Sequence, residues 1–215
     1  SYVEGATVEA HFGRSAAGAD HFLVAYNLRP GSVNFVRFPL EGPAPEGAWT
    51  FEPHEGFVVQ RPAPAVLGDR DVAVVVTNDD RFAPPGERAA VLLNLTRGLA
   101  PQGEVIARFP TLALVDARVF NWSGALAAIL EVEPEQLAPH ELLLTLRGTA
   151  GWSQPVKVAG AAGGLSGTTA DVLVAGDRAF LAYERQRTPE STAKGIVIAE
   201  ISTNGSTREV AVSPP

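Results

Sequence analysis

The chain has 215 residues, of which 46% are apolar and 19% are charged, enough for one medium domain or two small ones with a sizeable core. Its 17 Lys and Arg are outnumbered by 24 Asp and Glu, and the net charge of −7 excludes nucleic acid and anionic membrane as default partners, since both attract basic surfaces. The lack of Cys excludes disulfides, thiol catalysis and thiolate metal sites, and no apolar run is long enough to span a membrane.

Short apolar runs bounded by Gly, Pro, Asn and Asp recur along the chain. In chain order, clear examples are HFLVAY (21–26), VAVVVTN (72–78), RAAVLLNLT (88–96) and ELLLTLR (141–147). Alternating runs of this length, rich in Val, Leu and Phe, predict β-strands rather than helices. The 21 Gly and 17 Pro residues favour many turns.

One stretch, GALAAILEVEPEQL (124–137), has a composition that favours a helix. Its LAAILE segment (126–131) nevertheless matches the FLAYE segment (180–184), because each is an apolar run that follows a small turn, ends in Glu and leads into a Pro-containing loop. A second apolar run and then a shorter one follow in both places. The match therefore predicts a strand here as well.

The same order of runs occurs four times. The turn glycines Gly42, Gly98, Gly148 and Gly205 mark the repeat at spacings of 56, 50 and 57 residues. Repeats of about 40–55 residues with about four strands each are typical of β-propeller blades. We therefore predict an all-β, propeller-like single domain over residues 1–215, with blade-like repeats near 6–54, 62–109, 111–158 and 168–213 and with SYVEG (1–5) at the outer edge of the last blade. A β-sandwich is the alternative.

Each predicted second strand ends in a polar cluster. In a propeller the loops after the second strands emerge on one face, here called the loop face, together with the loops that join successive blades. This face is expected to gather carboxylates and guanidinium groups around the central channel. The residues predicted to bind a ligand there are Arg29, Asp79, Asp80, Arg81, Glu131, Glu184, Arg185 and Arg187. The alternative is that strands end in water and their loops are polar for that reason alone.

Two tryptophans, Trp49 and Trp152, hold matching positions, each shortly after a turn Gly and at the start of a predicted outermost strand. Packing between blades is one explanation. The other is sugar binding at blade edges, where an aromatic ring stacks on the apolar face of a pyranose. Both residues are therefore included among the predicted ligand-binding residues.

Two segments near the end of the chain, GWSQPVKV (151–158) and SGTTADVLVAGDRAFLAYE (166–184), resemble the blades of bacterial sialidase-like (BNR) propellers. In that family a Trp-Ser-x-Pro-Val run often precedes an inner strand, and the resemblance implies a propeller fold. The Asp-box of the family, Ser-x-Asp-x-Gly-x-Thr-Trp, has no full copy here, since STNGST (202–207) lacks the Trp and shifts the Gly. Sialidases also need six blades where this chain predicts four, so we do not expect sialidase activity.

The histidines give no metal-binding pattern. None of His11, His21, His54 and His140 is spaced at i, i+2 or i+4 from another. Adjacent ligands in metal sites typically follow such short spacings. We therefore predict no metal site and no cofactor.

The predicted function is a non-catalytic, lectin-like binding module that recognises a protein or a carbohydrate through the loop face. One alternative is a glycan-active hydrolase that uses two of the carboxylates on that face. A second is a structural subunit that forms part of a larger propeller or a homo-oligomer. The chain starts at Ser1 without an initiator Met, which a removed secretory signal or trimming explains, and we expect an extracytoplasmic location: secreted, periplasmic or at the cell surface.

Overall fold

The computed structural model describes residues 12–29, 31–42, 44–110, 113–134, 140–159, 170–186 and 194–212. These residues form 17 strands in four antiparallel sheets and no helix. The described residues therefore contain no helix that is long and apolar enough to cross a membrane. Each sheet is a blade made from consecutive strands, which confirms the predicted all-β propeller.

Blades 1 and 2 are simple meanders of four strands. Blade 1 contains β1 (Phe12–Ala17), β2 (His21–Arg29), β3 (Ser32–Pro39) and β4 (Gly47–Phe51). Blade 2 contains β5 (Val59–Leu67), β6 (Arg70–Thr77), β7 (Glu87–Asn94) and β8 (Gln102–Pro110). In both, the strands pair in chain order from the inside to the outside of the ring.

Blades 3 and 4 follow the same plan. Blade 3 contains β9 (Leu114–Trp122), β10 (Ala125–Val132), β11 (Glu141–Gly148), β12 (Gly151–Trp152) and β13 (Val156–Ala159). Blade 4 contains β14 (Asp171–Ala175), β15 (Arg178–Gln186), β16 (Lys194–Ile201) and β17 (Thr207–Val212). The outer edge of blade 3 is split, because β12 and β13 both pair with β11.

The stretch with helical composition is the strand β10. It is buried on both sides: Ala127 and Ile129 pack toward blade 4, and Ala128 and Leu130 pack toward blade 2. Alternate side chains of a strand point to opposite faces of its sheet. An apolar run can therefore fill two interfaces at once here, and packing overrides helix propensity.

Hydrophobic clusters join blade 1 to blade 2, blade 2 to blade 3 and blade 3 to blade 4. Among the described residues no such cluster joins blade 4 to blade 1. The faces that those two blades turn away from their neighbours carry exposed apolar side chains, including Phe22 (44% exposed), Leu173 (67%) and Ile198 (38%). In the described part of the chain, the ring thus has one side without a packed interface.

The four inner strands border a central channel of about 660 Å³. Its wall is mixed: apolar residues such as Ala63, Val119 and Leu173 alternate with polar ones, among them Arg14, Arg118 and Asp171. Near the loop face Arg14 of β1 pairs with Asp116 of β9 at 2.5 Å, which links blade 1 to blade 3. This ion pair marks the loop-face end of the channel.

Candidate functional site

Of the residues predicted on the loop face, Asp79 is the most enclosed, with no exposed surface. Its carboxylate accepts hydrogen bonds from the Arg81 guanidinium, at 3.0 Å from Nε to Oδ1 and 2.6 Å from Nη2 to Oδ2. The backbone N–H groups of Arg81 and His54 donate to the same carboxylate. Burial alone would raise the pKa of Asp79, but these donors lower it to about 2. The carboxylate therefore ties the β6–β7 loop to the segment between blades 1 and 2.

The same loop holds a group of metal-ligand types. Ligand atoms of His54, Asp79 and Asp80 lie within 4.8 Å of one another, and His54 Nδ1 is 2.8 Å from Asp80 Oδ1. However, the Arg81 guanidinium contacts both oxygens of Asp79. It stands where a cation would bind, so we assign no metal to this group.

A second acidic pair lies where blade 3 meets blade 4. Asp116 and Glu131 are register partners on β9 and β10 and are 3% and 4% exposed. Burial raises the pKa of Glu131, although His140 Nδ1 lies 2.6 Å from its Oε1 and favours the charged form. Asp116 accepts two hydrogen bonds from the Arg14 guanidinium. The cavity that both carboxylates line holds only about 10 Å³, room for about one water molecule rather than a sugar.

A strained residue acts electrostatically on Glu131. Arg61 has a φ of 49°, in the left-handed region that disfavours residues with a side chain, and sits at an irregularity in the pairing of β5 with β6. Its positive charge acts on Glu131 and lowers that residue's pKa, against the larger effect of burial. Strain of this kind persists where the surrounding structure fixes the backbone.

The other predicted residues are dispersed. Glu184 is exposed on β15, and Arg29 and Arg185 lie on described strands with side chains outside the described part. Arg187 lies outside the described residues. The structure thus brings Asp79, Asp80 and Arg81 together, separately from Glu131.

The two tryptophans have little free ring surface. Trp49 is 6% exposed, and its Nε1–H donates to the Thr96 carbonyl oxygen at 2.9 Å. Trp152 is half-buried against the cluster between blades 2 and 3, and its Nε1 has no hydrogen-bond partner among the described residues. Packing accounts for both positions.

A second pocket lies on the opposite side of the molecule from the loop face. The turns within blades, such as residues 68–69 and 95–101, define this side, here called the turn face. The pocket lies between blades 1 and 2 and holds about 420 Å³. It is lined by Arg37, Glu46, Gly47, Trp49, Asp69, Arg70, Asp71, Asn94, Leu95, Thr96 and Arg97. Sequence reasoning missed it, although the charged turns GDRD (68–71) and TRG (96–98) were a visible signal.

Arg37 and Asp71, on the inner wall of this turn-face pocket, belong to a partly buried charge network. Asp71 accepts from Arg37 Nη1 at 3.1 Å and lies 2.7 Å from His21 Nε2. Asp20 lies 2.6 Å from the other ring nitrogen of His21. Burial opposes a charged imidazole, but the two carboxylates outweigh it and raise the pKa of His21. The network holds the Arg37 side chain in a fixed place.

The rim of the pocket is different, because its polar groups are not engaged. Arg70, Arg97 and Asn94 are exposed, and their side chains form no hydrogen bond or ion pair within the described ranges. Asp69 beside them is likewise exposed and unpaired there. The pocket therefore combines a wall of paired charges with unpaired donors and acceptors at its rim.

Two solved structures share the architecture. One is a GH32 beta-fructofuranosidase from Bombyx mori, with a TM-score of 0.58 and 10% identity over 91% of this chain and 47% of that chain. The other is an exo-β-1,3-galactanase from Phanerochaete chrysosporium, solved with galactose, with a TM-score of 0.54 and 14% identity over 88% of this chain and 45% of that chain. This chain is a β-propeller, a fold that it shares with both of these structures.

The structural likeness covers only part of each solved structure. The chain spans about half the length of both solved structures. No family model and no curated protein matches the sequence. At these identities the comparison shows the fold, and function has to be argued from the site.

Proposed function

We propose that this propeller is a non-catalytic carbohydrate-binding domain whose ligand sits in the turn-face pocket. The observation that carries the proposal is the pocket itself: about 420 Å³ of space bordered by unpaired Arg70, Asn94 and Arg97. Sugar hydroxyls both donate and accept hydrogen bonds, and these side chains, with Asp69, offer both kinds of partner.

The loop face supports ligand binding less well. Asp79 and Glu131 are buried and hydrogen-bonded, and Asp80 is engaged with His54. A ligand would have to displace these partners, and breaking a buried charge pair is costly. Asp80, Arg81 and Glu184 remain the loop-face residues with exposed surface.

A glycan-active hydrolase is the second candidate, and one observation favours it. Glu131 has a raised pKa and lies beside the Asp116 carboxylate, as an acid and its partner do in glycosidases. The pair lines a cavity of about 10 Å³, so substrate would require the site to open. Turnover of aryl glycosides and oligosaccharides that is lost in Glu131→Gln would establish this candidate. A wild type without turnover would agree with a function in binding alone.

The test of the binding proposal is a glycan-array screen followed by calorimetry on the strongest neutral and acidic ligands. Asn94→Ala should weaken binding about tenfold, because a sugar hydroxyl would lose an amide partner in an otherwise unchanged pocket. Glu184→Ala, an exposed change on the loop face, is the matched control and should bind as the wild type does.

Two results would contradict the proposal. Binding that is lost in Glu184→Ala or Asp80→Ala but kept in Asn94→Ala would move the site to the loop face. An array on which no glycan binds would contradict a carbohydrate ligand and would favour a protein partner.

A further inference from the structure

We infer that the turn-face pocket selects glycans that carry an anionic substituent, a carboxylate or a sulfate, and that Arg70 and Arg97 bind it. This inference rests on the proposed carbohydrate-binding function and names its ligand class. It concerns two arginines that come from different turns of blade 2 and that no other described side chain neutralises.

The charges that line the pocket divide into an inner and an outer set. In the inner set, Arg37 lies 3.1 Å from Asp71 and 3.4 Å from Glu46, and His21 lies between Asp71 and Asp20. Each cation there has at least two carboxylate partners within 3.6 Å. The inner set thus has three carboxylates against Arg37 and His21, and neither cation there needs a ligand charge.

The outer set is not compensated. Arg70 and Arg97 face the same space, with Asp69 as the one acidic residue of the rim that has no partner in the described ranges. Two guanidinium groups against one carboxylate leave an excess positive charge at the pocket mouth. A guanidinium binds a carboxylate or sulfate through parallel hydrogen bonds, which a neutral hydroxyl cannot match.

The wall adds an unsatisfied donor. Arg37 Nε is buried and lacks a hydrogen-bond partner, because its approach to Glu46 at 3.4 Å does not have hydrogen-bond geometry. Buried donors in folded proteins are nearly always paired. An acceptor supplied by a ligand would satisfy this N–H, and an anionic oxygen is the strongest such acceptor.

The rim is also built to present its arginines. Arg70 begins β6 directly after a turn in which Gly68 has a φ of 67°, and Gly98, with a φ of 77°, follows Arg97. Gly47 closes the opposite wall, where an added Cβ would lie 2.9 Å from the Trp49 ring. Both arginines are therefore carried by tight turns rather than by long loops.

The experiment compares matched glycans on the folded protein by calorimetry. The probes are a galacturonic acid trisaccharide, its methyl ester, galactotriose and a sulfated galactotriose. We expect the acid, the sulfated sugar or both to bind about tenfold tighter than the neutral pair, and Arg70→Ala/Arg97→Ala to abolish that difference, so that the acid and its ester bind equally. Arg147→Ala/Arg208→Ala, which removes two positive charges from β11 and β17 outside the pocket, is the charge-matched control.

The outcomes separate the two proposals. Equal binding of acid and ester, unchanged in the double variant, overturns the anionic selectivity and leaves carbohydrate binding intact. Binding of none of these sugars, nor of any on an array that contains neutral, uronic and sulfated glycans, overturns both. The relative affinity for the carboxylate and the sulfate identifies the anion, and raised salt should weaken only the anionic ligands.

Discussion

Asp79 holds two loops of the propeller together with one carboxylate. Its oxygens accept from the Arg81 side chain and from two backbone N–H groups, one of them on His54, 25 residues away in the chain. A charged carboxylate binds this many N–H donors more strongly than a neutral amide oxygen does. We therefore expect Asp79 to contribute to stability.

We predict that Asp79→Asn lowers the free energy of unfolding by about 2–4 kcal/mol, because it removes the charge from a buried, hydrogen-bonded pair. Urea unfolding monitored by Trp fluorescence at pH 7 measures the change. The contribution of the wild-type carboxylate should be complete above its unfolded pKa near 3.8 and should disappear as the pH falls through the folded value of about 2.

Asp80→Asn supplies the comparison at the neighbouring position. Asp80 has a side chain that is 56% exposed and one hydrogen bond to His54, so its substitution should change stability by less than about 1 kcal/mol. Equal losses for the two variants would show that the loop, rather than the buried carboxylate, carries the effect.

At the scale of the element, the packing of β8 requires a glycine at position 103. A Cβ on Gly103 would lie 2.7 Å from a ring carbon of Phe82 and 2.8 Å from Val91. Phe82 in turn packs on the cluster between blades 1 and 2 and lies beside Phe51, with ring centroids 6.0 Å apart. The glycine thus lets the β6–β7 loop lie flat on the sheet.

We predict that Gly103→Ala destabilises the protein by about 1–3 kcal/mol, since Phe82 and Val91 must both move. Thermal unfolding measures the effect. Gly148→Ala is the matched control: an added Cβ there meets nothing nearer than 3.8 Å, and it should change the melting temperature little. A Gly103→Ala protein as stable as the control would mean that Phe82 repacks freely.

The sequence predicts strands well because their two buried faces impose strict alternation. β10 is a strand in spite of its Ala and Leu content, and its match to FLAYE identified it. The site is harder to predict. Arg37, Arg70 and Arg97 meet only because the turns of neighbouring blades share one side, and their pairing states depend on distances that no spacing reveals. Likewise, Asp79 and Glu131 are residue types that suit a ligand site, but both side chains are buried and leave no surface for a ligand.

At the scale of the whole molecule, the described residues present two apolar sheet faces, one on blade 1 and one on blade 4. Leu173 and Ile198 lie on the blade 4 face, and Phe22 lies on the blade 1 face. Apolar patches of this kind favour association. The homo-oligomer predicted from the sequence stays a prediction, and these faces are where it would form.

We predict concentration-dependent self-association of the wild type, measured by sedimentation velocity. Leu173→Lys/Ile198→Lys should shift the equilibrium toward monomer, because two charges cannot be buried cheaply in an apolar contact. Leu99→Lys changes an equally exposed apolar residue on the turn face (59% exposed) and should leave association unchanged. A wild type that stays monomeric over the concentration range would refute the prediction.

The ion pair between Arg14 and Asp116 has a consequence for how the chain folds. The two residues are 102 positions apart, on blades that are not neighbours in the chain. Most other contacts of a blade lie within it or with the next blade, so blades can form one after another. This pair forms only once blades 1, 2 and 3 are in place, and closing so long a loop is entropically slow. We expect it to be a late event on the folding pathway, so that its loss speeds unfolding far more than it slows refolding.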